Sequence, residues 1–187
     1  MPATLDEIEL VDRTLKGDRE AFRLIVLQHQ RRLTTLVYRQ TGNRATAEDL
    51  VQETFLRAFT ALSRFDSRYR LSTWLTRIAL NVARDSGRRK KVRDASLDRI
   101  GRAAESVVPS GPLENVARNE AQQTVLKALD TLSVPQREAL VLSVYGGFTQ
   151  REIADVLETP LGTVKSRLRA ALTKLRDVVA PLHPGGA

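Results

Sequence analysis

Apolar residues recur at every third or fourth position along nearly the whole chain, and valine and isoleucine follow that spacing rather than alternating. A helix buries one stripe, whereas a half-buried strand buries every second residue. The periodicity therefore predicts an all-α protein. Start and stop signals sharpen it. Asp18 is placed to cap a helix from about Arg19 to Gln40, with Phe22, Ile25, Val26, Leu33, Leu36 and Val37 on its apolar side and Gly42-Asn43 at its end. Thr46 reads as the cap of a second helix, Ala47 to Leu62, burying Leu50, Val51, Phe55, Ala58 and Leu62. After a polar loop, Asp66 to Arg70, Ser72 or Thr73 reads as the cap of a third helix from Trp74 to about Arg89.

The pattern then breaks. Arg88-Arg89-Lys90-Lys91 is a charge run and Pro109-Ser110-Gly111-Pro112 is a breaker cluster. The expected organisation is an N-terminal tail and helix start over 1–17, a helical domain over 18–90 and a flexible linker over 91–113. A short helical piece is expected near Leu97–Ala104. A second helical domain over 114–180 and a loose tail over 181–187 complete it. In the second domain the helices are expected at Asn115–Leu132, Gln136–Tyr145, Gln150–Leu157 and Thr163–Val179, with Gly146-Gly147 ending the second of these.

Charge is distributed unevenly. Residues 1–63 are neutral overall, with nine basic and nine acidic side chains. Residues 64–95 hold ten Lys/Arg against Asp66, Asp85 and Asp94. A second cluster, Lys165, Arg167, Arg169, Lys174 and Arg176, has no acid within it. Two separate basic stretches predict two separate nucleic-acid contacts. The absence of cysteine excludes disulfides, zinc fingers and thiol catalysis. His29 and His183 stand far apart, outside any metal-ligand spacing. No catalytic residue, metal or cofactor is expected. No apolar run is long enough to span a bilayer, and the first residues lack a signal-peptide pattern, so no membrane insertion and a cytoplasmic location are expected.

Thr149 to Leu175 carries the strongest functional signal. A cap, an eight-residue helix with Ile153, Ala154 and Leu157 inward, a tight turn, and a longer helix with Val164, Leu168, Ala171, Leu172 and Leu175 inward form the layout of a helix-turn-helix. Small Ala154 lets the two helices approach. Lys165, Ser166, Arg169 and Thr173 share the face opposite the core, where a major groove presents guanine acceptors and phosphates. The helix N-terminus at Thr163 is a further phosphate candidate. An ordinary helical hairpin with a solvated basic face is the competing reading.

Two other constellations stand out. The loop Ser67-Arg68-Tyr69-Arg70 precedes a helix exposing Arg77, Asn81, Arg84, Arg88 and Arg89. Asn81 suits a base edge, the arginines suit phosphates, and the loop suits an extruded base. Trp74 lies on the apolar stripe and reads as core. On the second helix, Asp49, Gln52 and Glu53 share one exposed face at i, i+3, i+4. That face is either solvated or a docking surface for a basic or amphipathic helix. A metal site there lacks any supporting histidine or phosphate loop.

Taken together, Asp49-Leu-Val-Gln52-Glu53-Thr-Phe55-Leu-Arg-Ala58-Phe59, Ser72-Thr73-Trp74-Leu75-Thr-Arg77-Ile78-Ala79-Leu-Asn81 and Gly162-Thr163-Val164-Lys165-Ser166-Arg167-Leu168 resemble the extracytoplasmic-function (ECF) branch of bacterial sigma-70 factors. The resemblance spans about residues 15–177. It implies a sigma2-like bundle and a sigma4-like helix-turn-helix domain joined by the linker, in a protein that lends RNA polymerase its promoter choice. By that resemblance Asp49, Gln52 and Glu53 would bind the clamp helices of the largest polymerase subunit. Ser67, Arg68, Tyr69, Arg70, Arg77, Asn81 and Arg84 would read and open the minus-ten element of promoter DNA. Lys165, Ser166, Arg169 and Thr173 would read the minus-thirty-five element, with Thr163 and Arg167 nearer the phosphates. An anti-sigma factor would be a further partner. Where such factors often carry basic residues after this last motif, Ala170-Ala171-Leu172-Thr173 stands here. A stand-alone helix-turn-helix regulator, with residues 1–95 serving as a sensor or dimerisation domain, is the alternative.

Overall fold

The computed structural model describes residues 5–98 and 116–179, and all regular structure among them is helical. The expected linker beyond residue 98, the short helical piece near its start and the C-terminal tail fall outside the described residues.

Four helices form the first bundle: α1 (Leu5–Leu15), α2 (Arg19–Thr41), α3 (Arg44–Ala61) and α4 (Leu71–Asp98). Asp18 caps α2 as its sequence position predicts, accepting from the amides of Glu20 and Ala21. Gly42 ends α2 in the left-handed region at φ 69°, its N–H donating to the Tyr38 carbonyl at 2.8 Å. Two starts differ from expectation. Asn43, not Thr46, caps α3, since the Asn43 side chain accepts from the Thr46 amide at 2.8 Å. The next helix begins at Leu71 rather than Trp74, with Ser72 and Thr73 buried in its first turn. It also runs on to Asp98, well past Arg89, because no glycine or proline stop meets it after the charge run. The short α1, in the stretch expected as tail and helix start, packs Leu10 and Val11 into the bundle core. That core centres on Ile25, Val37, Ala47, Ala58, Leu71 and Val82. Buried Thr54 and Thr76 donate to the carbonyls of Leu50 and Ser72, both at 2.7 Å, so neither hydroxyl is left unsatisfied.

The second bundle comprises α5 (Val116–Asp130), α6 (Val134–Val144), α7 (Gln150–Leu157) and α8 (Leu161–Val179). Thr149 and Glu152 form a capping box at α7: the Thr149 amide donates to Glu152 at 2.9 Å, and the Glu152 amide donates back at 3.3 Å. Glu158 takes the left-handed conformation, φ 50°, and turns the chain into α8. The core packs Ala139, Val141, Leu142, Ile153, Val164 and Ala171. It also takes in Leu36 of α2 and Leu80 of α4. The two bundles are therefore in direct contact, with α4 against α7 and α2 against α6.

Half-buried His29 on α2 gives this fold a pH dependence. Burial pushes its pKa below the usual histidine value, with Arg32 adding to the effect and Glu7 opposing it. Below about pH 6.5 the unfolded chain takes up a proton that the fold resists, so stability falls as pH drops through that value. Thermal melts should show a lower midpoint at pH 5.5 than at pH 7.5, and His29→Gln should shrink the difference. An unchanged difference in the variant would remove His29 as its source.

Candidate nucleic-acid interface

The helix-turn-helix is built as expected from α7 and α8. Ile153, Val156 and Leu157 face inward from α7, and Val164, Leu168 and Ala171 from α8. Half-buried Ala154 packs where the helices meet. Lys165, Ser166, Arg169 and Thr173 are exposed on one side of α8. An open groove of about 420 Å³ runs along this side, lined by Lys165, Leu168, Arg169, Leu172, Thr173 and Arg176 together with Gln150 from the start of α7. Neither Lys165 nor Arg169 has a side-chain partner among the described residues, so both are available to an outside acceptor.

Three details correct the sequence picture. Helix α8 starts at Leu161, and the Thr163 amide is already used by the Pro160 carbonyl at 2.9 Å. Thr163 therefore offers no free N-terminal N–H to a phosphate. Arg167 is half-buried and turns back toward Thr159, 3.4 Å from its hydroxyl. Leu172 is not inward but 58% exposed, beside the basic face. Gln150 escaped the sequence reading because it belongs to the other helix; its place at the first turn of α7 was the available signal.

The acidic face of α3 also forms. Asp49 and Gln52 are exposed, and Glu53 is partly covered by an ion pair with Arg57, which also reaches Asp85 at 3.5 Å. Next to it lies an apolar groove of about 510 Å³ lined by Phe22, Val26, Gln52, Phe55, Leu56 and Phe59. Leu56 is 70% exposed and Phe59 49%. Sequence reasoning missed both. They lie off the core stripe, four and seven residues after Gln52, and that spacing was the signal for an apolar edge beside the acidic face.

The basic face of α4 is arranged differently from expectation. Ser67, Arg68 and Tyr69 stay at the surface, with Arg68 paired to Asp66 at 2.6 Å. The Arg68 side chain and amide hold the Asp66 carboxyl below the usual aspartate value. Trp74 is half-buried edge-on to Phe65, ring centres 5.5 Å apart, in keeping with a core role. Arg70, Arg77 and Arg84, however, point at the second bundle. Arg84 grips Glu138 with two bonds, 2.6 and 2.7 Å, and also reaches the Asn81 side-chain oxygen at 3.2 Å. Arg77 pairs with Glu158 at 3.1 Å and donates to the Asp155 carbonyl at 2.6 Å. Arg70 approaches Glu152 at 3.8 Å. Burial acts to raise the Glu152 pKa, but the Thr149 amide and hydroxyl and the Arg70 charge outweigh it, so the carboxyl stays ionised below its usual range. Among the described residues no group of three or more His, Asp or Glu is placed to hold a metal ion, and no helix is long and apolar enough to cross a membrane.

Comparison with known proteins places both halves. Residues 25–93 match Sigma-70 region 2, and residues 122–175 match Sigma-70, region 4. The chain is 32% identical to the ECF RNA polymerase sigma-E factor of Salmonella typhimurium, over 97% of this chain and 98% of the relative. It is 33% identical to the RNA polymerase sigma-H factor of Pseudomonas aeruginosa, over 93% and 94%. Its fold is similar to that of CnrH solved with the cytosolic domain of CnrY, with a TM-score of 0.72, 29% identity and 95% and 99% coverage. The sigma factor RpoE of Bartonella quintana, solved with the anti-sigma factor NepR, gives a TM-score of 0.69 at 27% identity, covering 85% and 96%. Region 2 occupies the half that the alternative reading gave to a sensor. With a region 2 bundle, a region 4 helix-turn-helix and near full-length kinship to such factors, this chain belongs to the ECF sigma factors of the sigma-70 family, which direct RNA polymerase to promoters.

Proposed function

We propose that this sigma factor divides its work over three surfaces. The exposed side of α8, through Lys165, Ser166, Arg169 and Thr173, reads the minus-thirty-five element, with Arg167 behind it. The loop Ser67 to Arg70 and the α4 face of Arg77, Asn81 and Arg84 take the minus-ten element. Asp49, Gln52 and Glu53, extended by Leu56 and Phe59, dock on the clamp helices of the largest polymerase subunit. The protein works in the cytoplasm as a specificity factor, and bond-making belongs to the polymerase. An anti-sigma factor is a further partner, as in the Bartonella quintana complex above.

The supporting observation is the exposed pair Lys165 and Arg169 of α8, without side-chain partners among the described residues and aligned in one groove with Gln150 on the helix that supports it. Base edges supply choice and phosphates supply affinity. Tethering two small domains to one polymerase raises their effective concentration at a promoter, so neither needs to bind tightly alone. Run-off transcription with core polymerase across a promoter library tests this reading, and an absence of promoter-dependent transcripts would end it. The docking surface has its own test. Asp49→Ala with Gln52→Ala should weaken co-elution with core polymerase by about tenfold, the size of one lost polar contact of roughly 1.4 kcal/mol. The same variant should keep its circular dichroism spectrum, because both side chains are exposed.

A further inference from the structure

The basic side of α8 carries one side chain out of keeping with its neighbours. Leu172 is 58% exposed, although Leu168 and Ala171 beside it are buried. It stands three residues after Arg169 and seven after Lys165, so the three project from successive turns of one side. They line the same open groove of about 420 Å³, where Leu168 is the other apolar group and Gln150, Thr173 and Arg176 complete the wall. The stretch Ala170 to Thr173 holds no cation, so the basic character of this side is interrupted where Leu172 stands. Single exposed apolar side chains are common on protein surfaces. Leu172 is set apart by its place in a groove whose exposed cations, Lys165 and Arg169, are open to a base edge.

We infer that Leu172 is a specificity-determining residue for the minus-thirty-five element and packs on the C5-methyl group of a thymine. The inference rests on the assignment of the exposed side of α8 to that element. Among the groups that base pairs turn toward the major groove, the thymine methyl is the apolar one; the rest are hydrogen-bond donors and acceptors. Leu172 can pair with none of those. Set against a purine N7 or a cytosine amino group, it displaces water and leaves that polar group unsatisfied, which carries a penalty. Lys165 and Arg169 work in the opposite sense, donating to guanine acceptors or to phosphates. The rise of an α-helix separates Lys165 from Leu172 by about 10 Å, the depth of roughly three stacked base pairs. One side of one helix thus reads two kinds of group, acceptors near its start and a methyl about two turns on. Covering that methyl with leucine favours a matched promoter by about fourfold, the fold-change that corresponds to roughly 0.8 kcal/mol.

The test uses holoenzyme assembled from core polymerase and the full chain. Gel-shift competition over promoters with each of the four bases at every position of the minus-thirty-five element identifies where thymine is preferred. Each such thymine is then replaced by deoxyuridine, which removes the methyl and keeps the hydrogen-bonding groups of the base. With wild type, deoxyuridine at one or two of these positions should weaken binding by about fourfold. Leu172→Ala should bind the thymine and deoxyuridine promoters equally well at the same positions. It should also keep its circular dichroism spectrum, because the side chain is exposed and alanine favours helix. Leu172→Gln, a polar variant of similar length, should lose the methyl dependence as Leu172→Ala does. A wild type with no thymine preference, or one indifferent to every deoxyuridine, overturns the inference. So does a Leu172→Ala variant that loses as much as wild type at each position, since the methyl then acts through DNA shape or another side chain. Lys165→Ala with Arg169→Ala on the same promoters separates the two levels. If it leaves every base preference in the element unchanged, the assignment of α8 is itself wrong. If it flattens those preferences while Leu172→Ala keeps the methyl dependence, only the part given to Leu172 is lost.

Discussion

Lys165→Ala with Arg169→Ala should reduce transcription from promoters that depend on the minus-thirty-five element by about 10²-fold or more, while polymerase still binds the variant. A well-placed base contact contributes roughly 1–3 kcal/mol of discrimination, and about 1.4 kcal/mol is a factor of ten. Both side chains are exposed, unpaired among the described residues and aligned in one groove. Their removal leaves no buried charge behind, so the loss falls on recognition rather than folding. Arg167→Ala should behave differently. Arg167 faces Thr159 across the turn, so its loss should weaken binding to all promoter sequences by a similar, smaller factor. Run-off transcription and gel-shift titration over a set of minus-thirty-five variants measure both. Equal sequence selectivity before and after Arg169 is removed would take base reading away from α8.

Gly146→Ala should lower stability by about 2–3 kcal/mol, the upper part of the usual range for forcing extra volume into a packed place. A Cβ at this position would stand 2.5 Å from the Leu142 carbonyl oxygen and 2.6 Å from the Phe148 ring. The carbonyl is helix backbone and cannot step aside. Phe148 is buried, and its ring also carries the Arg32 guanidinium. The damage should therefore reach both the second core and the seam between the bundles. For a small domain each kcal/mol shifts the melting midpoint by about 4–8 °C, so a drop on the order of 10 °C or more is expected. Gly147→Ala is the informative control. Gly147 has φ 61°, and a methyl group there would meet nothing within 4 Å, so only the backbone conformation resists, at about 1–2 kcal/mol. Melting curves of the two variants should rank them in that order, and the reverse order would show that packing at Phe148 is loose.

Much of this was legible in the linear chain because the physics is local. Helix stripes follow from a 3.6-residue period, and Asp18, Gly42 and Thr149 mark ends through bonds spanning two to four residues. The groups on one helix face also follow from spacing alone, which is why Asp49 with Gln52, and Lys165 with Arg169, emerge together on the surface. Local competition between neighbouring caps was harder. Asn43 and Thr46 both suit a cap, and the three-residue difference was decided by which side chain reaches a free amide. The start of α4 shifted likewise, since Ser72 and Thr73 are drawn into the core, where their packing overrides their preference for a cap.

By itself, then, the sequence determined the helical class, the helix-turn-helix, the acidic face of α3 and the two basic clusters, because each depends on residues within one or two turns of one another. Only the tertiary structure decided what the first basic cluster faces. Arg84 and Glu138 lie 54 positions apart, and Arg77 lies 78 from Asp155. No periodicity spans such distances, and charge alone leaves an arginine free to choose DNA, solvent or a carboxylate. Burial of Leu36 and Leu80 in the second core fixes that choice, by bringing Glu138 and Glu158 onto the row of arginines.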